Sequence, residues 1–126
     1  MKKLARVFKA LADETRLKIL ALILEHKELC VCDLVVTLGI TQSKASRHLR
    51  YLVNAGILSD RREGSWMLYR VVEQADEEIT KVISTLKEVL KCYDLSALEN
   101  ALQARLASRT KGTACPRSGF KRGPDE

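Results

Sequence analysis

The stretch TQSKASRHLRYL, residues Thr41 to Leu52, decides the fold of this chain and reads as a short helix with two different faces. Ala45, Leu49 and Leu52 recur at spacings of four and three, so they form one stripe that can pack on a core. The other face carries polar and basic side chains without an acid, namely Gln42, Ser43, Lys44, Ser46, Arg47 and Arg50. Because such side chains donate to phosphates and to base edges, the pattern predicts a helix that enters a DNA groove.

A second apolar stripe precedes this helix and completes a known motif. Val31 to Leu38 is apolar at helical spacing, and Gly39 follows it in the position where glycine commonly ends a helix. Only Ile40 and Thr41 separate this stripe from the basic helix. Two short helices joined by a tight turn, the second of them basic, are typical of a helix-turn-helix.

Two strand-like runs follow, Ile57 to Arg62 and Trp66 to Val72, with Gly64 in the short connection between them. This arrangement predicts a β-hairpin, and a hairpin directly after a helix-turn-helix is a wing. Arg61 and Arg62 lie near its tip, where they can reach phosphate or the minor groove. The predicted fold is therefore mainly α with a small β-hairpin, a winged helix-turn-helix.

The candidate DNA contacts divide by their chemistry. The cations supply affinity by neutralising phosphates, and they are Lys44, Arg47, Arg50, Arg61 and Arg62. Sequence reading in the major groove falls to Gln42, Ser43, Ser46, Arg47 and His48. Two alternatives stay open for His48, a base contact or packing beside Leu49.

The helices that flank this motif are also predicted from apolar spacing. Leu4 to Leu11 is helical, and Asp13 is a good N-cap for a strongly apolar second helix at the centre of the core. Glu77 to Cys92 is helical again, and Ser96 with Glu99 has the spacing of a capping box that opens a last helix. Because the apolar stripes of these last two helices follow a core already made, we expect them to pack on a second subunit.

Length and charge set the class of protein. The chain has 126 residues, 46% of them hydrophobic, which suits one domain, but that core is small enough to make a homodimer expected. We expect the domain over residues 1–106 and a basic, disordered tail over 107–126. The net charge of +6 indicates an anionic partner, and double-stranded DNA comes first.

Neither a membrane span nor a secretory signal is predicted. No apolar run approaches the ~18 residues that a bilayer requires. The N-terminal MKKLARVFKALADETR has two lysines but neither a continuous apolar core nor a small-residue cleavage site. We therefore expect the protein in the cytoplasm, where four cysteines serve as thiols or metal ligands rather than as disulfides.

Cys30 and Cys32 stand where the third helix begins. On a regular helix, residues two apart point roughly 200° apart and their sulfurs cannot share an ion, whereas on extended chain they lie on one side. If the helix includes both cysteines, binding of one ion by both sulfurs must unwind its first turn. Alternatively, Asp33 caps a shorter helix that starts after the cysteines. The alternative is that both are small buried hydrophobes. Paired thiols without a histidine beside them suit a soft, thiophilic ion.

Three segments carry a family resemblance, ELCVCDL at Glu28 to Leu34, SRHLRYLVNAGIL from Ser46, and REGSWMLYRV from Arg62. Together they resemble the ArsR/SmtB family of metal-responsive winged-helix repressors, and within it the arsenic-responsive branch. The resemblance covers about residues Leu4 to Leu90. It implies a homodimer that binds an operator with dyad symmetry and represses a resistance operon. It also implies release by trivalent arsenic or antimony, supplied as arsenite or antimonite.

The metal site departs from that resemblance at one position. The arsenic branch typically has CVCDLC, with three thiolates around As(III), and here Cys30 and Cys32 match the first two while Val35 stands at the third. Three alternatives remain open for the third ligand. Cys92 can supply it in the same or the other subunit, or Cys115 can reach over from the tail. Otherwise hydroxide, a small thiol or a methyl group takes the place, and the last would favour a methylated trivalent arsenical.

Two other functions remain as alternatives. A winged-helix repressor with the same cysteines can sense another thiophilic metal such as Cd or Zn, although those sites usually recruit His and carboxylates. It can also respond to thiol oxidation at Cys30 and Cys32. A thiol-based reductase is disfavoured, because CxC is not the CxxC redox spacing and no βαβ pattern surrounds it, so we expect no enzyme.

Overall fold

The computed structural model describes residues 1–73 and 76–108. Within these ranges the helices are α1 (Lys2–Leu11), α2 (Glu14–His26), α3 (Val31–Leu38), α4 (Gln42–Asn54), α5 (Glu77–Leu90) and α6 (Ser96–Ser108). The strands are β1 (Leu29–Cys30), β2 (Leu58–Glu63) and β3 (Trp66–Val71). The predicted winged helix-turn-helix is confirmed, with α3 and α4 as its two helices and β2 and β3 as its wing. Of the predicted tail, only residues 107 and 108 are described, and they end α6.

Short polar residues and one glycine set the helix ends as the sequence predicts. The Asp13 carboxylate accepts from the backbone N–H of Arg16 at 3.0 Å and caps α2. Gly39 ends α3 at φ 66°, a left-handed conformation that glycine adopts without strain. Two residues after Gly39, Thr41 is the N-cap of α4, and its hydroxyl accepts from the backbone N–H of Lys44 at 3.1 Å.

The core lies between α2, α3 and α4. The predicted stripe of α4 is confirmed, since Ala45, Leu49 and Leu52 are all fully buried, and α2 contributes Ile19, Leu20 and Ile23. Burial of each leucine or isoleucine among these six side chains stabilises the fold by roughly 1.5–3 kcal/mol. This packing fixes which face of α4 is turned away from the protein.

The last two helices pack partly within the chain itself, which corrects the expectation that their stripes wait for a second subunit. Leu102 of α6 is fully buried, and Ile79 and Ile83 of α5 are also part of the core. Val89 and Tyr93 are the large hydrophobic residues near the end of α5 that remain exposed. The predicted Ser96–Glu99 capping box is replaced by other contacts, because Ser96 donates to Asp94 and Glu99 contacts His26.

Strand β1 is absent from the sequence-based prediction. The sheet has the order β1-β3-β2 and is antiparallel throughout, with Leu29 opposite Tyr69 and Cys30 opposite Leu68. The residues before α3 are therefore hydrogen-bonded into the wing. Along residues 1–73 and 76–108, the helices are too short or too polar to cross a membrane.

Candidate nucleic-acid interface and candidate metal centre

The face of α4 opposite the core carries the predicted basic residues. Lys44, Arg47 and Arg50 are exposed, and Gln42, Ser43 and Ser46 are half-buried beside them. The Gln42 side-chain amide donates to the Ser46 hydroxyl at 3.1 Å, so these two predicted base contacts also hold each other in place. This face combines cations with amide and hydroxyl groups, which is the chemistry that phosphates and base edges require.

The predicted cations differ in whether a carboxylate neutralises them. Within the described part of the chain, Lys44, Arg47 and Arg62 have no ion pair. Arg50 lies 3.5 Å from Asp60, at the base of the wing. Arg61 is paired with two glutamates, Glu28 and Glu63. The five cations are therefore not equally available to a phosphate.

Arg61 joins the wing to the chain just before the cysteines. Its guanidinium donates to both carboxylate oxygens of Glu28, at 2.8 and 2.9 Å, and contacts Glu63 at 2.7 Å. Glu28 precedes Cys30 by two residues. A bidentate pair of this kind is geometrically specific, so it ties the position of Arg61 to that of β1.

His48 faces α2 rather than solvent, which favours the packing alternative over a base contact. Its Nδ1 lies 3.1 Å from the Arg16 guanidinium and 3.9 Å from Asp13. Burial lowers the pKa of His48, so the ring is neutral near pH 7. Arg16 also lies over the Tyr51 ring, 4.0 Å from its centroid, and donates to the Ala10 carbonyl oxygen at 2.7 Å.

Arg16 is therefore a positioning residue that the sequence prediction missed. It connects the end of α1 to two residues of α4 and so fixes the orientation of that helix against α2. The segment ADETR offers no periodic signal for this role, because Arg16 acts through contacts 32 and 35 residues away in sequence.

The sulfurs of Cys30 and Cys32 lie 2.8 Å apart, and both side chains are at most 2% exposed. Cys30 is the N-cap of α3 and has extended backbone, with φ −94° and ψ 160°, whereas Cys32 is in the first turn. That change of conformation is what brings the sulfurs of residues two apart to one place. Of the two alternatives, a shorter helix capped by Asp33 is wrong, because Cys30 is the N-cap, and unwinding is not needed to bring the sulfurs together.

Asp33 completes a buried polar cluster with the two cysteines. Its carboxylate is 2% exposed, and one oxygen lies 3.4 Å from the Cys30 sulfur and 3.5 Å from the Cys30 backbone nitrogen. The other oxygen accepts from Arg105 of α6 at 3.0 Å. Burial, and next the Asp33 charge, raise the pKa of Cys30 from 9.0 to about 11. One ligand atom from each of Cys30, Cys32 and Asp33 lies within 4.8 Å of the other two.

A surface cavity of about 430 Å³ opens over this cluster. Its apolar lining residues come from β1, the wing and the end of α6. The lining residues are His26, Glu28, Leu29, Cys30, Asp33, Glu63, Trp66, Leu68 and Leu106. Cys30 and Asp33 thus line a surface cavity although both residues are buried.

Of the two cysteines predicted as possible third ligands, the structure describes only Cys92. Cys92 is exposed in the turn after α5, and it is outside the group of ligand atoms that the described residues bring together. Cys115 lies outside the described residues. The two predicted sulfurs lie together, and their role as metal ligands stays a prediction, whereas the sequence prediction missed Asp33, whose carboxylate lies within 4.8 Å of both sulfurs.

Comparisons with known proteins agree with the winged helix-turn-helix fold. Residues 13–60 match the family model described as bacterial regulatory protein, arsR family. Over 65 residues the chain is 54% identical to the arsenic resistance transcriptional regulator ArsR1 of Pseudomonas putida, which covers 52% of this chain and 51% of that protein. It thus spans about half the length of that relative.

Two further relatives cover more of their own length. Over 78 residues the chain is 47% identical to the arsenical resistance operon repressor of Escherichia coli, covering 62% of this chain and 67% of that protein. Among solved structures, a homodimeric winged helix-turn-helix DNA-binding domain from Mycobacterium bovis superposes with a TM-score of 0.60. It is 32% identical and covers 71% of this chain and 80% of that one.

Proposed function

The chain belongs to the ArsR family of bacterial regulatory proteins, and from this premise we propose that it represses an arsenic-resistance operon. In this proposal a homodimer in the cytoplasm binds operator DNA and is released when trivalent arsenic or antimony binds its cysteine thiolates. The family consists of transcriptional regulators, so the chain is not an enzyme. The observation that carries the proposal is the pair of sulfurs 2.8 Å apart at the N-cap of the helix that precedes α4.

Operator binding rests on α4 and the wing. Lys44 and Arg47 are exposed on the face that the buried stripe turns outward, and they supply phosphate contacts together with Arg62 and Arg50. Gln42, Ser43, Ser46 and Arg47 read base edges in the major groove. Arg61 binds a phosphate only if its contacts with Glu28 and Glu63 rearrange, so its contribution is smaller than that of Arg47.

The donor chemistry of the cluster fits a soft, thiophilic ion. Two cysteine sulfurs already share one location, and soft ions prefer thiolate donors. Cys30 and Cys32 would hold trivalent arsenic, which supplies a Lewis-acidic centre for sulfur. Each thiol would replace one hydroxide of arsenous acid, and the thiol proton would leave with that hydroxide as water, so a protonated thiol suits this ligand. A divalent cation offers no such base and must displace the thiol protons into solvent.

Coupling to DNA follows from the place of Cys30 in the fold. It is the N-cap of α3, it pairs with Leu68 of β3, and α3 packs against α4. A change in the sulfur positions therefore affects both α4, the helix that contacts DNA in this proposal, and the wing. Release requires that the ion bind the DNA-free form more tightly than the DNA-bound form, and the coupling is reciprocal.

The test is operator release measured by fluorescence anisotropy on the reduced, full-length protein. We expect arsenite to release the wild type but not the Cys30→Ser, Cys32→Ser double variant, with both binding the operator equally in its absence. Cys92→Ser is the matched control, because it removes an exposed thiol away from the cluster and should respond as the wild type does. Release of the double variant by arsenite would refute the proposal.

The 2.8 Å separation of the sulfurs also favours one second candidate, thiol oxidation as the signal. In that case the two thiols lose two electrons and two protons to an oxidant and form one S–S bond. The two candidates differ in what reverses release. A thiol reductant alone would restore operator binding after oxidation, whereas arsenite-released protein would need the ion to be removed.

A further inference from the structure

Cys30 and Cys32 pack with the wing in a hydrophobic cluster that is separate from the main core. Trp66 and Leu68 of β3 are the partly buried side chains that pack on the two cysteines. Val35, at the position where the resemblance implies a third cysteine, packs instead on the main core. Among the described residues, an indole and an aliphatic side chain therefore lie beside the sulfurs, and the group of possible ligand atoms contains no third sulfur.

The surface cavity beside this cluster is lined by the same two wing residues. Leu29 of β1 and Leu106 of α6 complete its apolar lining next to Cys30. Its volume of about 430 Å³ is within the range of pockets that hold small organic molecules, about 300–1,000 Å³. A water-sized group, such as a hydroxide on arsenic, takes up only about 30 Å³. The cavity is therefore much larger than inorganic arsenite requires, and its lining suits an apolar group.

A trivalent arsenical that already carries one carbon substituent needs two thiols. As each thiol binds, one As–S bond forms and one As–O bond breaks, and the thiol proton leaves with the hydroxide as water. The As–C bond stays intact and arsenic stays trivalent, so the step needs neither an oxidant nor a reductant. The substituent is attached to the atom that both sulfurs hold, so it lies among the residues that pack on those sulfurs.

We propose that this site binds an aryl-substituted trivalent arsenical, with Cys30 and Cys32 holding arsenic and the cavity holding the aromatic ring. The proposal rests on the function proposed above, because it specifies the ligand of that same site. Trp66 offers the ring an aromatic surface, and pairs of aromatic rings gain more than their buried area alone supplies. Leu106 adds aliphatic surface from α6. These two residues determine specificity for the substituent.

Charge in the cavity restricts the substituent further. The carboxylates of Glu28, Asp33 and Glu63 also line it. Because like charges repel, a ring with a carboxylate of its own is disfavoured beside them. The site therefore favours an uncharged ring.

The test is the Kd for phenylarsine oxide and for methylarsenite on the full-length, reduced protein, each measured by competition with dithiothreitol. Dithiothreitol offers two thiols without a cavity, so it corrects for any intrinsic preference of thiols for one arsenical. Relative to dithiothreitol, we expect the protein to bind phenylarsine oxide at least about tenfold more tightly than methylarsenite. That factor is about 1.4 kcal/mol, which burial of about two methylene groups would supply. A carboxylate on the ring should remove most of this preference.

Substitutions in the lining locate the ring. Leu106→Ala should reduce the preference for phenyl over methyl by at least about threefold, because it removes apolar surface from the cavity. Leu98→Ala is the matched control, since Leu98 is also half-buried on α6 but lines a different cavity, and it should keep the preference. Trp66→Ala is the second test variant and should also reduce it. The preference is a ratio within one variant, so a general change in arsenic affinity cancels.

Tryptophan fluorescence gives a second measurement, because Trp66 is the single tryptophan of the chain. Indole emission moves to shorter wavelength when water leaves its surroundings. We expect a larger shift with phenylarsine oxide than with methylarsenite, and equal shifts would contradict a ring placed beside Trp66.

The outcomes separate this proposal from the function it rests on. A phenyl preference no greater than that of dithiothreitol would overturn the role of the cavity and leave a sensor built on Cys30 and Cys32. Equal losses in Leu106→Ala and Leu98→Ala would overturn it as well, because the loss would then come from α6 in general. Failure of the function itself gives a different result, namely release of the Cys30→Ser, Cys32→Ser variant from the operator by arsenite.

Discussion

Breaking the ion pair between Asp33 and Arg105 should cost far more stability than breaking the more extensive contacts of Arg61 with the two glutamates. Asp33 is 2% exposed and the Arg105 side chain 14%, whereas the Arg61 side chain is 47% exposed. Replacing Arg105 with Met keeps most of the side-chain volume and removes only the charge and its donors. The Asp33 carboxylate then stays buried without its guanidinium partner, and one of its oxygens lies 3.4 Å from the Cys30 sulfur and 3.5 Å from the Cys30 backbone nitrogen.

Removing one partner of a buried pair costs about 3–5 kcal/mol, and the partial exposure of Arg105 places the expected loss near the lower end, about 3 kcal/mol. Arg61→Met, the matched control at an exposed pair, should cost no more than about 1 kcal/mol. At a urea slope near ~1.5 kcal/mol/M, the two losses shift the unfolding midpoint by about 2 M and by less than about 0.7 M.

The assay is urea unfolding at one fixed protein concentration, followed by circular dichroism. A double-mutant cycle with Asp33→Asn isolates the interaction energy of the pair. Asp33→Asn removes the buried charge that Arg105→Met leaves without its partner. We expect a coupling energy of about 2 kcal/mol between the two changes. Equal losses for Arg105→Met and Arg61→Met, or additive losses in the cycle, would refute the reasoning that burial makes this pair different.

Three further predictions follow from other parts of the structure. Arg47→Ala should weaken operator binding by ~1–3 kcal/mol and flatten the slope of log K against log salt by about 0.9, as measured by anisotropy from 50 to 200 mM salt. Gly39→Ala should lower the free energy of unfolding by about 1–2 kcal/mol, because φ is +66° there, whereas the exposed Val36→Ala should change it little. Because the folded state raises the pKa of Cys30 to about 11, it holds more protons than the unfolded state above pH 9, so the stability of the reduced protein should fall as pH rises from 9 to 11. Cys30→Ala should lose that part of the pH dependence in urea titrations at pH 8 and pH 10.5.

The sequence is a good guide wherever structure depends on neighbours along the chain. The stripe of Ala45, Leu49 and Leu52, the cap at Asp13 and the stop at Gly39 are all local signals, and each has the predicted position. The wing is predicted for the same reason, since a glycine between two strand-like runs suffices.

The features that the sequence does not predict depend on contacts between distant residues. Strand β1 has only two residues, too few to show the alternation of a strand in the sequence. It forms because Cys30 pairs with Leu68 of β3. Arg105 looks like an ordinary basic residue on a surface helix until α6 packs on α3 and brings it to Asp33, 72 residues away. The pairing of Arg61 with Glu28 is equally hidden, so counting wing arginines overestimates the cations free to bind DNA.

Modest energies suffice to link the sulfurs to the DNA-reading parts, because both share the same few residues. A tenfold fall in operator affinity needs about 1.4 kcal/mol, and one intramolecular hydrogen bond contributes about 0.5–1.5 kcal/mol. Cys30 is at once a strand partner of Leu68 and the N-cap of α3, and Glu28 beside it holds Arg61. Loosening two or three of these bonds would thus account for a coupling of 1–3 kcal/mol, which is typical of allosteric proteins. A rearrangement confined to β1 and the first turn of α3 is therefore large enough, without movement of one domain against another.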